Sequence, residues 1–343
     1  MKAKRPTIED VARRAGVSRQ TVSRVINGKG EISAVTHARV QAVIEEMGYR
    51  PSAVAQSMVA GHTCTLGCIS PNFSDYTFAR IIEAAQVEAH RHGYFILAGS
   101  APSEPDVEPL LEEMLRRQVD GLLALNPHAD GRHQHLTPLV ERGMALVYVG
   151  NSPYGASISS VRCHDHEGGW QASRHLIELG HAAVATILGP ANEECVRDRL
   201  AGYRQALAEA GLAYDPALVM NGNWSATSGY QATRQMIESG RTFAALFAQN
   251  DQMAVGAIRA LRESGRRVPG DVSVIGFDDI PLASYFDPPL TTLRQPLEEL
   301  GRQAARLLIE TIHNPGRPSE QVLIQARLVE RASCGPLATR NEG

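Results

Sequence analysis

The stretch that decides the fold is Thr7–Asn27, TIEDVARRAGVSRQTVSRVIN. Its first apolar residues recur at the i, i+3, i+4 and i+7 spacing of one helix face: Ile8, Val11, Ala12 and Ala15. Thr7 stands where an N-cap belongs, and Asp10 approximates the second half of a capping box. Gly16 supplies a left-handed residue to end this helix, and Ser18 can cap the next. The stretch therefore predicts two short helices joined by a tight turn.

The second of these helices carries a polar outer face. Its inward positions are the apolar residues Val22, Val25 and Ile26. Arginine pairs bidentately with guanine, and glutamine with adenine, on the major-groove edge of DNA. We therefore interpret the two helices as a helix-turn-helix that binds double-stranded DNA, rather than as an ordinary surface hairpin. The candidate DNA contacts are Thr7, Ser18, Arg19, Gln20, Thr21, Ser23, Arg24 and Asn27.

The charge distribution favours the DNA-binding interpretation. Up to His62 the chain has ten Lys or Arg against five Asp or Glu, a net charge of +5. Because the whole chain carries -3, the remainder carries -8. A basic head attached to an acidic body is typical of a protein whose head contacts the phosphates of DNA while its body is repelled by them.

The composition excludes several protein classes. A chain of 343 residues has room for two or three domains, and 43% hydrophobic content is enough for a large core. No apolar segment follows the basic N-terminus, so no secretory signal is predicted, and no run is long enough to span a membrane. The five cysteines are scattered and form no Cys-x-x-Cys pair. We therefore predict a cytoplasmic protein with reduced thiols.

The sequence also lacks the motifs of catalysis and cofactor binding. It contains no Gly-x-Ser-x-Gly elbow, no phosphate loop, and no Gly-x-Gly-x-x-Gly after a predicted strand. His128, His133 and His135 fall in one predicted polar loop, and His164 and His166 flank an aspartate. Neither group has the spacing of a zinc site, so solvated loop histidines are favoured. The sequence predicts no enzyme, no cofactor and no metal site.

A third helix completes a head over residues 1–50. Its apolar positions again follow helical spacing: Val40, Val43, Ile44 and Met47. Gly48 ends the helix, and Pro51 breaks the chain. The segment Ser52–Met58 is too short to hold a helix alone in water. It is therefore either a linker or a helix that forms only when something stabilises it, within a hinge and linker over residues 51–62.

The rest of the chain alternates short apolar runs with amphipathic helical patterns. The strand candidates are Thr65–Ile69, Phe95–Ala98, Gly121–Leu125, Leu146–Val149, Ala183–Leu188, Ala244–Ala248 and Ser273–Phe277. Helical patterns lie between them near 78–92, 106–117, 168–179, 195–210, 226–238, 251–264 and 297–313. This alternation predicts an α/β core with two doubly wound parallel-sheet subdomains. Ligands on such sheets bind at the carboxyl ends of the strands.

Three ordered stretches resemble one family. They are the head, the segment YRPSAVAQSM (49–58), and VSVIGFDD (272–279) followed by PPLTTLRQ (288–295). Over essentially its whole length the chain resembles the lactose-repressor/galactose-repressor family of bacterial transcription regulators. NWSATSG (223–229) and AQNDQMAVG (248–256) are similar to the lactose-repressor branch. The ordered set is far more specific than a helix-turn-helix alone.

The resemblance implies a hinge helix, a periplasmic-binding-protein-like core over residues 63–333, and a homodimer on a near-palindromic operator. One subdomain would take about 64–164 plus 295–322, and the other about 165–294 plus 323–333. A short tail, 334–343, shows no apolar repeat for a further assembly helix. In the hinge, Ala55 and Met58 would contact DNA. Met58 stands where the family usually has leucine, as a wedge into the minor groove, or it packs against the dimer mate.

The same resemblance implies a ligand site. Arg199 would hold ligand hydroxyls or a carboxylate, against the alternative of a surface salt bridge. Asp278 would accept hydrogen bonds from sugar hydroxyl groups at a strand end, against the alternative of a helix N-cap, a role that Asp279 could take instead. Asn250 at another strand end has a similar ligand role and a similar alternative. Trp224 would stack on a pyranose ring, and the alternative is that it packs in the core. Asp165 would either contact the ligand or form hydrogen bonds within the crossing between the subdomains. Weaker candidates at strand and loop ends are Asp75, Tyr76, Phe78, Ser100, Asn151 and Gln295.

These features predict a sugar-responsive transcription regulator, a repressor of carbohydrate-utilisation genes that its small-molecule effector releases from DNA. Within this class, a non-sugar ligand such as a purine, or a corepressor, stays open. The alternatives from other classes are a sugar-binding transport protein and an α/β sugar-processing enzyme. The predicted recognition helix and the missing secretory signal argue against transport.

Overall fold

The computed structural model describes residues 6–28, 30–50, 61–127, 131–153 and 158–337. The chain divides into two compact units, Met1–Cys64 and Thr65–Gly343. The candidate DNA contacts Ala55 and Met58 lie outside the described residues, as does the side chain of Asn27. None of the helices in these ranges combines the length and the apolar character that a membrane-crossing helix needs.

The first unit contains the predicted helix-turn-helix. It is built from α1 (Ile8–Ala15), α2 (Arg19–Asn27) and α3 (Ala34–Met47). Thr7 and Asp10 form the predicted capping box, and the Ser18 hydroxyl accepts the backbone N–H of Thr21. Gly16 ends α1 at a left-handed φ of 64°. The three helices bury one apolar cluster: Val11, Ala12, Ala15, Val22, Val25, Val40 and Val43.

The second unit alternates strands and helices along the chain. Its first half contains β1 (Thr65–Ser70), α4 (Tyr76–Arg91), β2 (Phe95–Ser100), α5 (Val107–Arg116), β3 (Gly121–Leu125), α6 (His133–Glu141), β4 (Ala145–Val149), β5 (Ser159–Cys163) and α7 (Asp165–Glu178). Its second half contains β6 (Val184–Leu188), α8 (Glu194–Glu209), β7 (Val219–Asn221), α9 (Ala226–Glu238), β8 (Ala245–Ala248), α10 (Asp251–Glu263), β9 (Ser273–Asp278), β10 (Thr291–Arg294), α11 (Leu297–His313), β11 (Gln321–Ile324) and β12 (Arg327–Val329).

The strands form two six-stranded sheets, as the predicted fold class requires. The order in the first sheet, which defines the first subdomain, is β11-β5-β4-β3-β1-β2, and every pair is parallel. The order in the second sheet, which defines the second subdomain, is β12-β10-β9-β8-β6-β7. Only β12 runs antiparallel to its neighbour in that sheet. Both sheets are doubly wound, so their strand ends converge on loops that can form a ligand site.

The chain passes between the subdomains three times, after β5, after β10 and after β11. Leu323 and Ile324 pair with Arg162 and Cys163 in the first sheet, although the sequence analysis placed them in the second subdomain. The last crossing therefore comes after β11 rather than after Val322. A short parallel edge strand carries too few residues for its periodicity to fix this boundary.

Several elements escaped the sequence analysis. Strands β5 and β10 begin with polar residues, and β7 and β11 have only three and four residues, so no apolar run identifies any of them as a strand. Helix α6 replaces part of the predicted polar loop; three polar residues open it and Pro138 interrupts its pattern, so its sequence resembles a loop. His135 on this helix contacts the Glu104 carboxylate, so it is not a solvated loop histidine as predicted. His128 lies outside the described residues.

Glycines set the close approach of the helix pairs that cover the sheets. A Cβ added to Gly202 on α8 would overlap the backbone oxygen of His166 on α7. Gly256 on α10 faces the backbone of Ala226 on α9 in the same way. Because the neighbouring atoms belong to backbone, they have little freedom to move aside.

We expect Gly202→Ala to lower the free energy of unfolding by about 1–3 kcal/mol, since the added methyl group must push α7 and α8 apart. Gly316→Ala is the matched control, because nothing lies within 4 Å of a Cβ there. Urea denaturation of the full chain measures both variants. Equal stability of the Gly202 variant and the control would contradict the packing argument.

Candidate functional site

A cleft of about 540 Å³ lies between the two subdomains. Many of its lining residues lie at or just after the carboxyl ends of strands in both sheets, and others, such as Phe78 and Arg199, lie on the helices that follow. The predicted ligand residues in this wall are Asp75, Phe78, Asp165, Arg199, Trp224, Asn250, Asp278 and Gln295. Ser100 and Asn151 are not among its lining residues; the Ser100 hydroxyl instead donates to the Pro71 carbonyl.

Arg199 is the most extensively bonded of the predicted ligand residues described in the cleft wall. Its Nε and Nη2 atoms both lie 2.8 Å from Asp165 Oδ1, and its Nη1 donates to the Gln249 carbonyl at 2.5 Å. The guanidinium carbon lies 3.6 Å from the centre of the Phe277 ring. Only 4% of Arg199 is exposed, so the alternative of a surface salt bridge is wrong. Removing the Arg199 side chain would leave the buried Asp165 carboxylate without its partner, which would lower the free energy of unfolding by about 3–5 kcal/mol.

Asp278 ends β9 with its carboxylate turned to the cleft wall. It accepts the side-chain amide of Gln295 at 2.7 Å, at the point where the chain leaves β10 for its second crossing between the subdomains. Burial raises the pKa of this carboxyl group well above its usual range, against the opposing effect of Arg199. Its φ of 117° is unusual for a residue with a side chain. Neither Asp278 nor Asp279 caps the following turn, whose N-cap is Ile280, so that alternative is wrong.

Trp224 is held at three points in the second subdomain. Its indole N–H donates to Glu193 Oε1 at 2.9 Å, and its carbonyl accepts the side-chain amide of Asn250 at 3.0 Å. A Cβ added to Gly189 would overlap the indole ring, so only glycine fits beneath it. The backbone of Trp224 has a left-handed φ of 70°. A strained residue persists only where its surroundings over-determine it, which is typical of ligand sites.

Asn250 and Asp251 connect the cleft to the second sheet. The Asn250 carboxamide oxygen accepts the N–H of Met253 and caps α10, while its amide nitrogen holds Trp224. Asp251 is fully buried and accepts both the Thr292 hydroxyl at 2.5 Å and the Ile280 N–H at 2.8 Å. Burial raises the pKa of Asp251 to about 7. This carboxylate therefore fixes the backbone directly after Asp278 and Asp279.

Two glutamates in the cleft region were missed by sequence reasoning. Glu193 Oε2 accepts the side-chain amide of Asn126, which follows β3 in the first subdomain, at 3.2 Å. Glu194 Oε2 accepts the backbone N–H of Ser152 at 2.7 Å. Acidic residues at a helix start are common, so the sequence contains no signal that these two reach across the cleft.

Other candidates serve local structure as well as the cleft. Asp75 caps α4 by accepting the Thr77 N–H at 2.8 Å. His164, for which a loop position was predicted, caps α7 with its Nδ1 atom. In the described ranges, no group of three or more His, Cys, Asp or Glu side chains is arranged to hold a metal ion.

The head presents the predicted outer face of α2. Arg19, Gln20 and Arg24 are exposed, whereas Thr21 and Ser23 are half-buried. Arg19 Nη1 lies 2.9 Å from Glu9 Oε1, and both side chains are more than half exposed. Such a surface pair contributes little to stability, so Arg19 can exchange Glu9 for a base edge or a phosphate at small cost.

The raised pKa of Asp251 predicts a pH dependence of stability. The native carboxyl group keeps its proton to about pH 7, whereas its ordinary pKa is 3.8. The protonated carboxyl group therefore contributes stability that is fully present below pH 3.8, the pKa in the unfolded chain. This contribution is lost as the pH rises from 3.8 to about 7, the pKa in the folded chain. The free energy of unfolding of the parent should therefore fall relative to Asp251→Asn over this window, and the difference should be constant above it.

Urea titrations followed by tryptophan fluorescence, from about pH 5 to about pH 8, measure this difference. Asp271→Asn is the control, because hydrogen bonds from Arg267 lower the pKa of Asp271 to about 2 and both states are ionised throughout the window. A difference between the parent and Asp251→Asn that does not change with pH would contradict the assignment.

Comparisons with known proteins agree with both units. Residues 7–52 match the family described as "Bacterial regulatory proteins, lacI family", and residues 173–334 match "Periplasmic binding protein-like domain". The HTH-type transcriptional regulator CelR of Thermobifida fusca is 38% identical over 338 residues, which cover 96% of this chain and 98% of that regulator.

Two solved structures extend the match to three dimensions. A transcriptional regulator CelR-cellobiose complex is 36% identical with a TM-score of 0.75, covering 96% of this chain and all of that one. The lac repressor dimer bound to operator and the anti-inducer ONPF is 30% identical with a TM-score of 0.86, covering 97% of this chain and all of that one. The chain therefore belongs to the LacI family and is a DNA-binding transcription regulator.

Proposed function

We propose that the chain represses carbohydrate-utilisation genes and that an uncharged saccharide, bound in the cleft, releases it from a near-palindromic operator. The observation that carries the proposal is the fixed indole of Trp224 in a wall that also contains Arg199 and Asp278. The C–H face of a pyranose packs on an indole, while a guanidinium donates to hydroxyl groups and a carboxylate accepts from them. An apolar platform opposed by charged hydrogen-bonding groups suits a sugar.

The charge of the cleft argues for a neutral ligand. Its described lining residues include four carboxyl groups, those of Asp75, Asp165, Glu193 and Asp278, and two guanidinium groups, those of Arg132 and Arg199. Both arginines already donate within the protein, Arg132 to the Ala101 carbonyl and Arg199 to Asp165 and Gln249. A phosphate or carboxylate on the ligand would compete with these internal acceptors for the two guanidinium groups, and the carboxylates of Asp75 and Glu193 in the same wall would repel it.

The relatives support a disaccharide and a dimer. The similar CelR structure holds cellobiose, so a β-linked glucose disaccharide is the first ligand to test. The similar lac repressor structure is a dimer on its operator, and a two-fold dimer fits a near-palindromic site. In this arrangement Arg19, Gln20 and Arg24 would face base edges, and residues 51–62 would connect each head to its core.

Release of the operator follows from linkage. A saccharide that contacts both walls of the cleft favours one arrangement of the subdomains, and DNA favours the other. The ligand then lowers operator affinity by the ratio of its affinities for the two arrangements. No residue of the cleft has to touch DNA for this to occur.

The sharpest test of the site removes the stacking platform. We expect Trp224→Ala to weaken cellobiose binding by about tenfold to a hundredfold, because the pyranose loses its apolar contact. Trp170→Ala is the matched control, since Trp170 is the second of two tryptophans in the chain and lies outside the cleft wall. Calorimetric titration of each full-length variant measures the affinity, and operator binding without sugar should match the parent in both.

The same titrations compare cellobiose, maltose and lactose, each beside its 6-phosphate. The proposal expects a neutral disaccharide to bind the parent and its phosphorylated form to bind more weakly. Tighter binding of the phosphorylated sugar, or unchanged cellobiose affinity in Trp224→Ala, would overturn the proposed ligand site.

A further inference from the structure

The carboxylate of Glu193 joins the two walls of the cleft through one side chain. Its Oε1 accepts the indole N–H of Trp224 in the second subdomain at 2.9 Å. Its Oε2 accepts the side-chain amide of Asn126 in the first subdomain at 3.2 Å. Hydrogen bonds to an ionised acceptor are stronger than neutral ones. A single side chain therefore contacts both the stacking platform and the opposite wall.

The usual task of an acidic residue at a helix start does not account for Glu193. It occupies the N-cap position of α8, yet its side chain makes no capping hydrogen bond to that helix. Its backbone has the extended conformation that capping residues ordinarily adopt, with φ of -85° and ψ of 139°, so the backbone does not prevent a cap. The carboxylate is thus used for Trp224 and Asn126 rather than for capping.

A second carboxylate strengthens the link across the cleft. The neighbouring Glu194 accepts the backbone N–H of Ser152 at 2.7 Å, and its other oxygen lies 3.4 Å from Nη1 of Arg162 on β5. Both partners belong to the first subdomain. The start of α8 is therefore attached to the first subdomain by two consecutive glutamates, with no ligand needed for either attachment.

Movement of the subdomains would separate these partners. The Asn126 bond crosses the cleft, so opening breaks it, whereas the bond to Trp224 lies within the second subdomain and survives. After opening, Glu193 keeps the indole N–H and the weak thiol donor of Cys195, which lies 3.7 Å from Oε2, but it loses the Asn126 amide and so fixes the indole less firmly. Because the backbone of Trp224 is strained at φ 70°, its orientation depends on such side-chain anchors.

We propose that Glu193 is a positioning residue that couples the orientation of Trp224 to closure of the two subdomains, with Asn126 as its counterpart on the opposite wall. The inference rests on the proposed function. Under it, the indole of Trp224 that stacks on the sugar is fully ordered only when the cleft is closed. Saccharide binding and closure then favour each other, and Glu193 carries part of the coupling between ligand and subdomain arrangement.

The test uses Trp224 itself as the probe, in the full-length chain without any ligand. Trp170→Phe leaves Trp224 as the single tryptophan. In this background we expect Glu193→Ala to roughly double the acrylamide quenching constant of Trp224, because both the anchor and the link across the cleft are lost. The indole emission should shift to longer wavelength in the same variant.

A charge pair isolates the contact across the cleft. Asn126 has a left-handed φ of 46°, a conformation that aspartate tolerates. Asn126→Asp at about pH 8 places a second carboxylate against Glu193 and should raise the quenching constant by repulsion. Glu193→Gln added to Asn126→Asp restores a donor toward Asp and an acceptor toward Trp224, so the double variant should return to the parent value.

Affinity supplies the second readout and the control. With cellobiose as the probe, Glu193→Ala and Asn126→Asp should each weaken binding by about tenfold, and the double variant should recover to within about threefold of the parent. Glu209→Ala removes the equivalent acceptor of the other indole, Trp170, which lies 2.8 Å from it, and should leave cellobiose affinity at the parent value.

Two results would overturn the inference. One is a parental quenching constant for ligand-free Glu193→Ala, and the other is a double variant that is no closer to the parent than Asn126→Asp alone. Failure of the proposed function is distinguishable, because absence of saccharide binding to the parent would leave the ligand-free quenching results and their rescue unchanged.

Discussion

The buried pair between Arg199 and Asp165 is the contact on which the cleft depends. Asp165 opens α7 where the chain first crosses between the subdomains, and Arg199 lies on α8. Through Gln249 the same guanidinium also holds the end of β8. Two charges out of water are tolerated only when geometry and further hydrogen bonds compensate for desolvation. Here the second oxygen acceptor and the Phe277 ring face provide that compensation.

Backbone strain concentrates around this pair. Asn126, Trp224, Asp278 and Asp279 all have left-handed or otherwise positive φ values, and three of the four line the cleft. Each is held by side-chain contacts: Trp224 by Glu193 and Asn250, and Asp279 by Arg294 and Arg331. Strain at strand ends that neighbouring side chains stabilise is typical of a pre-organised binding site. These contacts hold Trp224 and the backbone next to Asp278 in fixed orientations, so the site is ordered before a ligand binds even though Arg199 is already paired with Asp165.

Local patterns in the sequence predicted what depends on local physics. The caps at Thr7 and Ser18, the helix periods and the strands with apolar runs follow from neighbouring residues alone. The family resemblance, together with the polar residues at the ends of predicted strands, predicted eight of the residues that line the cleft. Glu193 and Asn126 are 67 residues apart, and their pairing depends on how two subdomains meet, which no local pattern encodes. The strained φ of Trp224 and the glycine beneath its ring depend on tertiary packing in the same way.

Reciprocal linkage between sugar and operator tests the central claim most directly. Fluorescence anisotropy of the full-length chain on an operator selected from random DNA gives its affinity with and without saturating cellobiose. Calorimetry gives cellobiose affinity with and without saturating operator. The account predicts that each ligand weakens the other by the same factor, about tenfold or more, since both act on one equilibrium. Cellobiose that binds the cleft and leaves operator affinity unchanged would contradict it.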